Sequence, residues 1–228
     1  MLRAIIRFAR NVINRGCAFP RTARRCIEMA KARCVVSAAC VYFRRENLAQ
    51  LPELPDIEPF RIANMDLNSE SHTQAWLRLV NRAFFRQWST EDFISSISYH
   101  PNYRVLETYF LVLGSELVGT CSIGVFRMNP TVGVTHYLAL QNEFRGQGLG
   151  KYLLLYGLHR LRKYDVCACE GESTLAHKES LFIHFGLGFR PKRSQPWNTQ
   201  TLTVWLSRRV AWRRFVRLYE MSRESGQK

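Results

Sequence analysis

Leu149, Leu153, Leu154, Leu158 and Leu161 fall on one stripe of a helical wheel, with Lys151, Arg162 and Lys163 outside it. That period predicts a helix over Leu149–Tyr164. Residues 1–15 repeat the pattern: Leu2, Ile5, Ile6, Ala9, Val12 and Ile13 gather on one side, opposite Arg3, Arg7 and Arg10. Apolar runs bounded by turn residues predict strands at Phe60–Ala63, Tyr109–Leu113, Leu117–Phe126, Thr131–Leu140 and Asp165–Cys169, and a last one near Asn198–Leu206. Helices are expected over Ser71–Arg86, from Ser89 onward, over Lys178–Gly186 and over Arg208–Lys228. Ser89 followed by Asp92 makes a box-like helix start, with Asp in place of the usual Glu or Gln. Strands first, then alternating helices and strands, imply a mixed α/β sheet.

Three prolines between Pro52 and Pro59 preclude a regular helix there and divide the chain. The expected units are a basic amphipathic extension over 1–50, a domain over 51–206 and a basic helix over 207–228. The first of these is expected to be dispensable, because the proline-rich segment separates it from the core.

Charge supports that division. The chain of 228 residues carries a net charge of +15, and residues 1–45 hold eleven basic side chains against one acid, Glu28. Three readings of residues 1–15 stay open: an interfacial helix on an anionic membrane, an Arg-rich organelle transit peptide, or an over-long start. Cys34–Phe43 is apolar but too short to span a bilayer. The expected location is cytoplasmic, peripheral at a membrane if the first reading holds, or an organelle in a eukaryote. The isoelectric point near 10.0 invites a nucleic-acid partner. Against that, the charge sits mainly in the two ends, and no interleaved basic–aromatic platform appears.

The seven cysteines lack paired zinc spacing, so no metal is expected. Cys167-x-Cys169 is expected to lie buried on one face of a short strand. An odd cysteine count favours a reducing compartment.

The chemistry concentrates at Arg145-Gly146-Gln147-Gly148-Leu149-Gly150. A strand that breaks into glycines and then opens a helix leaves backbone N–H groups at the positive end of a helix dipole, an arrangement that holds phosphates. Tyr152 denies the loop the hydroxyl of a P-loop, and the glycine spacing does not fit a dinucleotide fingerprint. The pattern Arg145-x-x-Gly148-x-Gly150 resembles the acyl-CoA pyrophosphate loop of the GNAT superfamily of N-acyltransferases. Downstream, His177 to Phe189 is similar to that family's second cofactor segment, with His177 at its Asn position, Ser180 at its Ala position, His184 at its Tyr position and Gly188-Phe189 matching.

The resemblance covers roughly Glu58 to Leu206. It implies a single domain with a mainly antiparallel central sheet, and acetyl-CoA as co-substrate without a metal. It also implies acyl transfer to a small-molecule or protein amine by direct attack. Arg145–Gly150 and His177 would then hold the cofactor, and the backbone of Leu138 and Leu140 would pair with its pantetheine amides. His184 is expected to protonate the leaving thiolate. His136 is expected to remove the amine proton, because His136-Tyr137-Leu138-Ala139-Leu140 is similar to a run in arylalkylamine N-acetyltransferases. Glu107, Glu116 and Glu143 are expected to be solvated loop or hairpin acids. The competing reading is a catalytically weak relative serving as a nucleic-acid, ribosome-binding or membrane-associated module.

Overall fold

The computed structural model describes residues 40–84, 87–98, 102–192 and 202–225. The amphipathic pattern of residues 1–15 and Cys17, Cys26 and Cys34 lie outside the described residues.

Seven strands form one sheet: β1 Cys40–Arg45, β2 Phe60–Asn64, β3 Tyr103–Leu113, β4 Glu116–Phe126, β5 Val132–Leu140, β6 Ala168–Thr174 and β7 Arg190–Lys192. Their spatial order is β2-β3-β4-β5-β6-β1-β7. Every pairing is antiparallel except β5 with β6. The helices are α1 Glu70–Phe84, α2 Thr90–Phe93, α3 Leu149–Leu161, α4 Lys178–Gly186 and α5 Leu202–Ser225. A π-helical turn, Ile94–Ser98, continues α2, and a 3₁₀ turn, Arg162–Tyr164, completes the expected helix after Leu149. Ser89 and Asp92 close a reciprocal capping box, so Asp suffices for the shorter reach.

Both sheet faces are covered. Trp76, Leu77 and Val80 of α1, spaced to share one stripe, pack with Phe93 and Ile97 on Phe110 and Val112 of β3. On the other face Leu154, Leu155, Leu158 and Leu161 of α3 meet Tyr109, Ile123 and Val125, with Leu181 and Phe185 of α4 and Phe215 of α5. Full burial of each large apolar side chain contributes about 1.5–3 kcal/mol.

Three sequence expectations need correcting. The first strand in the chain is the sixth in the sheet, inserted between β6 and β7, so the domain begins by Cys40 and not at Leu51. Val41 and Phe43 of β1 are buried, Arg44 pairs with Glu170 at 2.8 Å, and Arg45 donates to the carbonyls of Leu187 and Gln50. The strand expected near Asn198–Leu206 is helix from Leu202 onward, and Ala211 and Phe215 enter the core, so α5 is more than an appendage. Finally, Cys167 precedes β6 and is exposed, while Cys169 is buried.

Candidate active site

The parallel pairing of β5 with β6 runs only from Val132/Ala168 to Thr135/Gly171. Beyond it β6 continues beside β1, while β5 diverges from β6 and runs on through His136 to Leu140. A bulge lies at this point. Thr120 pairs with Ala139 and Ser122 with His136, so Tyr137 and Leu138 together oppose Cys121, and Tyr137 adopts φ +50°. An extra residue bends and twists a strand, which is why the two strands part here. The bulge also sorts side chains. Tyr137 packs on Trp76 and Trp88 on the α1 side, whereas Leu138 and Leu140 join Leu149 and Leu153 on the α3 side. The result is a notch between the diverging strands, and the backbone of Leu138 and Leu140 on its β5 side is where an extended amide chain can add as another strand would.

β5 leads straight into the glycine loop. Asn142–Phe144 makes one 3₁₀ turn, and then Gly146 and Gly148 both take left-handed backbone, at φ +78° and +79°. Gly148 is the N-cap of α3 and has no side chain to satisfy the first N–H groups of the helix. A Cβ on Gly148 would meet no atom within 4 Å, so the space beside it lies open at the positive end of a 13-residue helix. Exposed Arg145 and Lys151 flank that space. The Arg145 guanidinium donates to the Leu140 carbonyl at 3.4 Å, and Gln147 donates to the Glu143 carbonyl at 3.3 Å. Uncapped N–H groups, two cations and an open cradle fit a pyrophosphate. Gly150 also has a packing part. A Cβ there would lie 3.0 Å from Ile183 Cδ1, so this glycine lets α4 approach α3.

His136 lies on the lip of the notch. The register puts it level with Ser122 and Thr108, whose hydroxyls share a buried hydrogen bond of 2.8 Å. The Tyr103 hydroxyl lies 2.5 Å from His136 Nε2. His177 stands at the N-cap of α4, and its ring meets Phe84 of α1 edge-on at 5.9 Å, across the opening between the two halves of the sheet.

His184 is placed where the general-acid expectation cannot hold. It faces the core from α4, with its ring 4.2 Å from that of Phe43 and 5.0 Å from that of Phe189. Its Nδ1–H donates to the Ser180 carbonyl at 2.7 Å, one turn back. Burial pushes its pKa from 6.5 down to about 4, so the imidazole is neutral at pH 7 and has no proton to spare. The helix turns this position inward, towards a phenylalanine contributed by β1.

The acids also differ from expectation. Glu107 is central in β3, where it binds Arg160 through both oxygens at 3.0 and 3.1 Å and accepts the Tyr164 hydroxyl. Glu143 is exposed but paired with Arg82 at 2.9 Å. An open cleft of about 420 Å³ lies between α1 and the end of β5, lined by Arg78, Arg82, Leu140, Gln141 and Asn142 among others. Sequence reasoning missed this basic wall, although Arg78 and Arg82 stand four residues apart on α1. It missed Tyr103 too, and no motif marks that residue. Among the described residues no group of three His, Cys, Asp or Glu side chains gathers as a metal site, and no helix is long and apolar enough to cross a membrane. Burial pushes the Cys121 thiol up to about 12, which denies it nucleophilic character.

Residues 73–180 match the model of the Acetyltransferase (GNAT) family. No curated protein matches the chain. Among solved structures, a GCN5-related N-acetyltransferase from Sphaerobacter thermophilus superposes with a TM-score of 0.52 at 18% identity, over 67% of this chain and 48% of that one. An acetyltransferase from Streptococcus agalactiae 2603 gives 0.52 at 14% identity, over 64% of this chain and 92% of that one. A GNAT-family structure from Novosphingobium aromaticivorans gives 0.47 at 13% identity over 68% of this chain, and the chain spans only 61% of its length. At these identities the likeness is one of fold. Family match and fold together support acyl transfer in general.

Proposed function

We propose that the region matched by the GNAT-family model, residues 73–180, is an acetyltransferase domain and that the chain moves an acetyl group from acetyl-CoA to a primary amine by direct attack. The observation that carries this reading is the continuity of two binding features. β5 parts from β6 after Thr135 and carries Leu138 and Leu140 on to the N-terminus of α3, where Gly148 provides no side-chain cap. The backbone of Leu138 and Leu140 would take the pantetheine amides, and Arg145 to Gly150 the pyrophosphate. His177 at the start of α4 would border the same channel.

Acetyl-CoA supplies the activated thioester. His136, at the lip where β5 and β6 part, takes the proton from the attacking ammonium, directly or through one water. A neutral imidazole offers one ring nitrogen with a lone pair, which is what a base for this proton requires. The leaving thiolate takes its proton from solvent, since His184 is sealed in the core. Cys121 and Cys169, the buried thiols among the described residues, have no covalent role, in keeping with direct attack rather than an acyl-enzyme.

Two measurements on the purified chain test this. Calorimetry should show acetyl-CoA binding, and thiol release should follow with at least one member of a panel of polyamines, amino sugars, arylalkylamines and peptide N-termini. His136→Gln should bind acetyl-CoA normally and lose on the order of 10²–10⁴ in kcat. Failure to bind acetyl-CoA, or full activity in His136→Gln, refutes the respective part.

A further inference from the structure

Tyr103 starts β3, two strands away from His136, and its ring reaches across the intervening strand. The crossing is built into the sequence of β4. A Cβ on Gly124 would lie 2.5 Å from Tyr103 Cε1 and 2.8 Å from Cδ1, so the ring occupies space that any other residue would fill. On its other side the ring stacks on Phe126, with centroids 4.5 Å apart and planes within 16°. Held on two sides, the ring presents its hydroxyl to His136 Nε2 at 2.5 Å, and the two rings meet edge-on at 80°. Burial, aided by the charges of Tyr137 and Glu172, pushes the phenol pKa well above its ordinary value, so Tyr103 keeps its proton at neutral pH.

A neutral imidazole has two tautomers, and only the one with its lone pair towards the reactants acts as a base. A hydroxyl partner fixes how the ring is turned and can either donate to Nε2 or accept from it. With Nε2 turned to Tyr103, Nδ1 acts as the base only in the tautomer whose Nε2–H is donated to the phenol oxygen. We propose that Tyr103 is a positioning residue for His136: its oxygen accepts the Nε2–H and thereby makes Nδ1 the basic nitrogen. This rests on the reading of His136 as the base. The amine proton passes to Nδ1, directly or through water, and the Nε2–H bond to Tyr103 persists in the resulting imidazolium. No proton leaves Tyr103. The phenol oxygen stabilises the imidazolium as it forms and keeps its plane.

Tyr103→Phe in the full chain tests the idea, because phenylalanine retains the stack on Phe126 and fills the Gly124 gap while losing only the hydroxyl. Nitrogen-15 NMR of histidine-labelled protein, with His136→Gln to assign the signal, should show Nε2–H in the parent and a tautomer mixture in Tyr103→Phe. Gly124→Ala should give the same mixture with the hydroxyl still present, because it displaces the ring. In turnover with the best amine of the panel, Tyr103→Phe should lose about 10- to 100-fold in kcat, with a shifted acid limb of the pH profile and unchanged acetyl-CoA affinity. An identical His136 spectrum in Tyr103→Phe overturns the proposal, and so does a tautomer change that leaves kcat and the pH profile alone. If the parent transfers acetyl to no amine, the acyltransferase reading fails while the spectra still decide the Tyr103–His136 contact.

Discussion

Phe43 and His184 stand 141 positions apart in the chain, and their rings lie 4.2 Å apart in the core. The contact joins β1, which precedes the proline-rich segment, to α4, which follows the last long strand. It decides two matters at once. It makes β1 part of the domain, and it turns His184 away from the notch.

A chain beginning at Leu51 is therefore expected to misfold, whereas one beginning a few residues before Cys40 should fold and bind acetyl-CoA. Phe43→Ala should cost about 3–5 kcal/mol by leaving a cavity among His184, Phe189 and Phe215. Denaturant unfolding of the three proteins checks this. A stable, acetyl-CoA-binding fragment from Leu51 would mean that β1 is ornamental.

His184 should make the fold acid-sensitive. Its pKa is about 4 folded and 6.5 in an ordinary setting, so the unfolded chain binds more protons between those values. Stability therefore rises with pH across that window. It is full above about 6.5 and falls by about 3 kcal/mol on acidification towards 4. Unfolding measured from pH 4 to 7 should show this slope, and His184→Phe should flatten it while leaving kcat unchanged at pH 7.

Gly146 and Gly148 share nearly the same left-handed φ, and a Cβ added to either would meet no atom within 4 Å. Alanine at either should cost a similar strain, about 1–2 kcal/mol. Only Gly148 caps α3, so Gly148→Ala should weaken acetyl-CoA binding at least about tenfold more than Gly146→Ala. Equal losses in calorimetry would assign the effect to strain and remove the pyrophosphate from this helix terminus.

Glu107 and Arg160 form a partly buried pair on the α3 side, with 20% and 27% of their side chains exposed. Glu107→Gln should lower stability by about 1–2 kcal/mol, the lower part of the range for such pairs because solvent reaches them. Acetyl transfer should be unaffected at saturating substrates. A collapse of kcat with intact stability would move Glu107 into the reaction.

Much of the local structure is legible along the chain. The helix Lys178–Gly186 has the bounds its pattern predicts, the Leu149 stripe packs as its period implies, and Ser89 with Asp92 caps α2. The glycine loop at the start of α3 is legible as well, because unpaired N–H groups follow from a strand that ends in glycine and reopens as a helix. These features depend on neighbours within about four residues, and the chain itself supplies those.

What needed the tertiary structure is everything that depends on a distant partner. Cys40–Arg45 and Arg190–Lys192 are too short to announce themselves as strands, and each becomes one only through pairing, β1 with β6 and β7. Leu202–Leu206 follows the helical hydrogen bonds of a longer segment rather than its own apolar run. The bulge at Tyr137 and Leu138 appears only against β4, and the notch only where β6 turns to β1. A histidine at the right spacing is visible in the sequence at both 136 and 184. Which one lies half-buried beside Tyr103 and which one faces Phe43 was set by long-range packing, because spacing along a helix or strand fixes the relative direction of side chains but not which direction is the core.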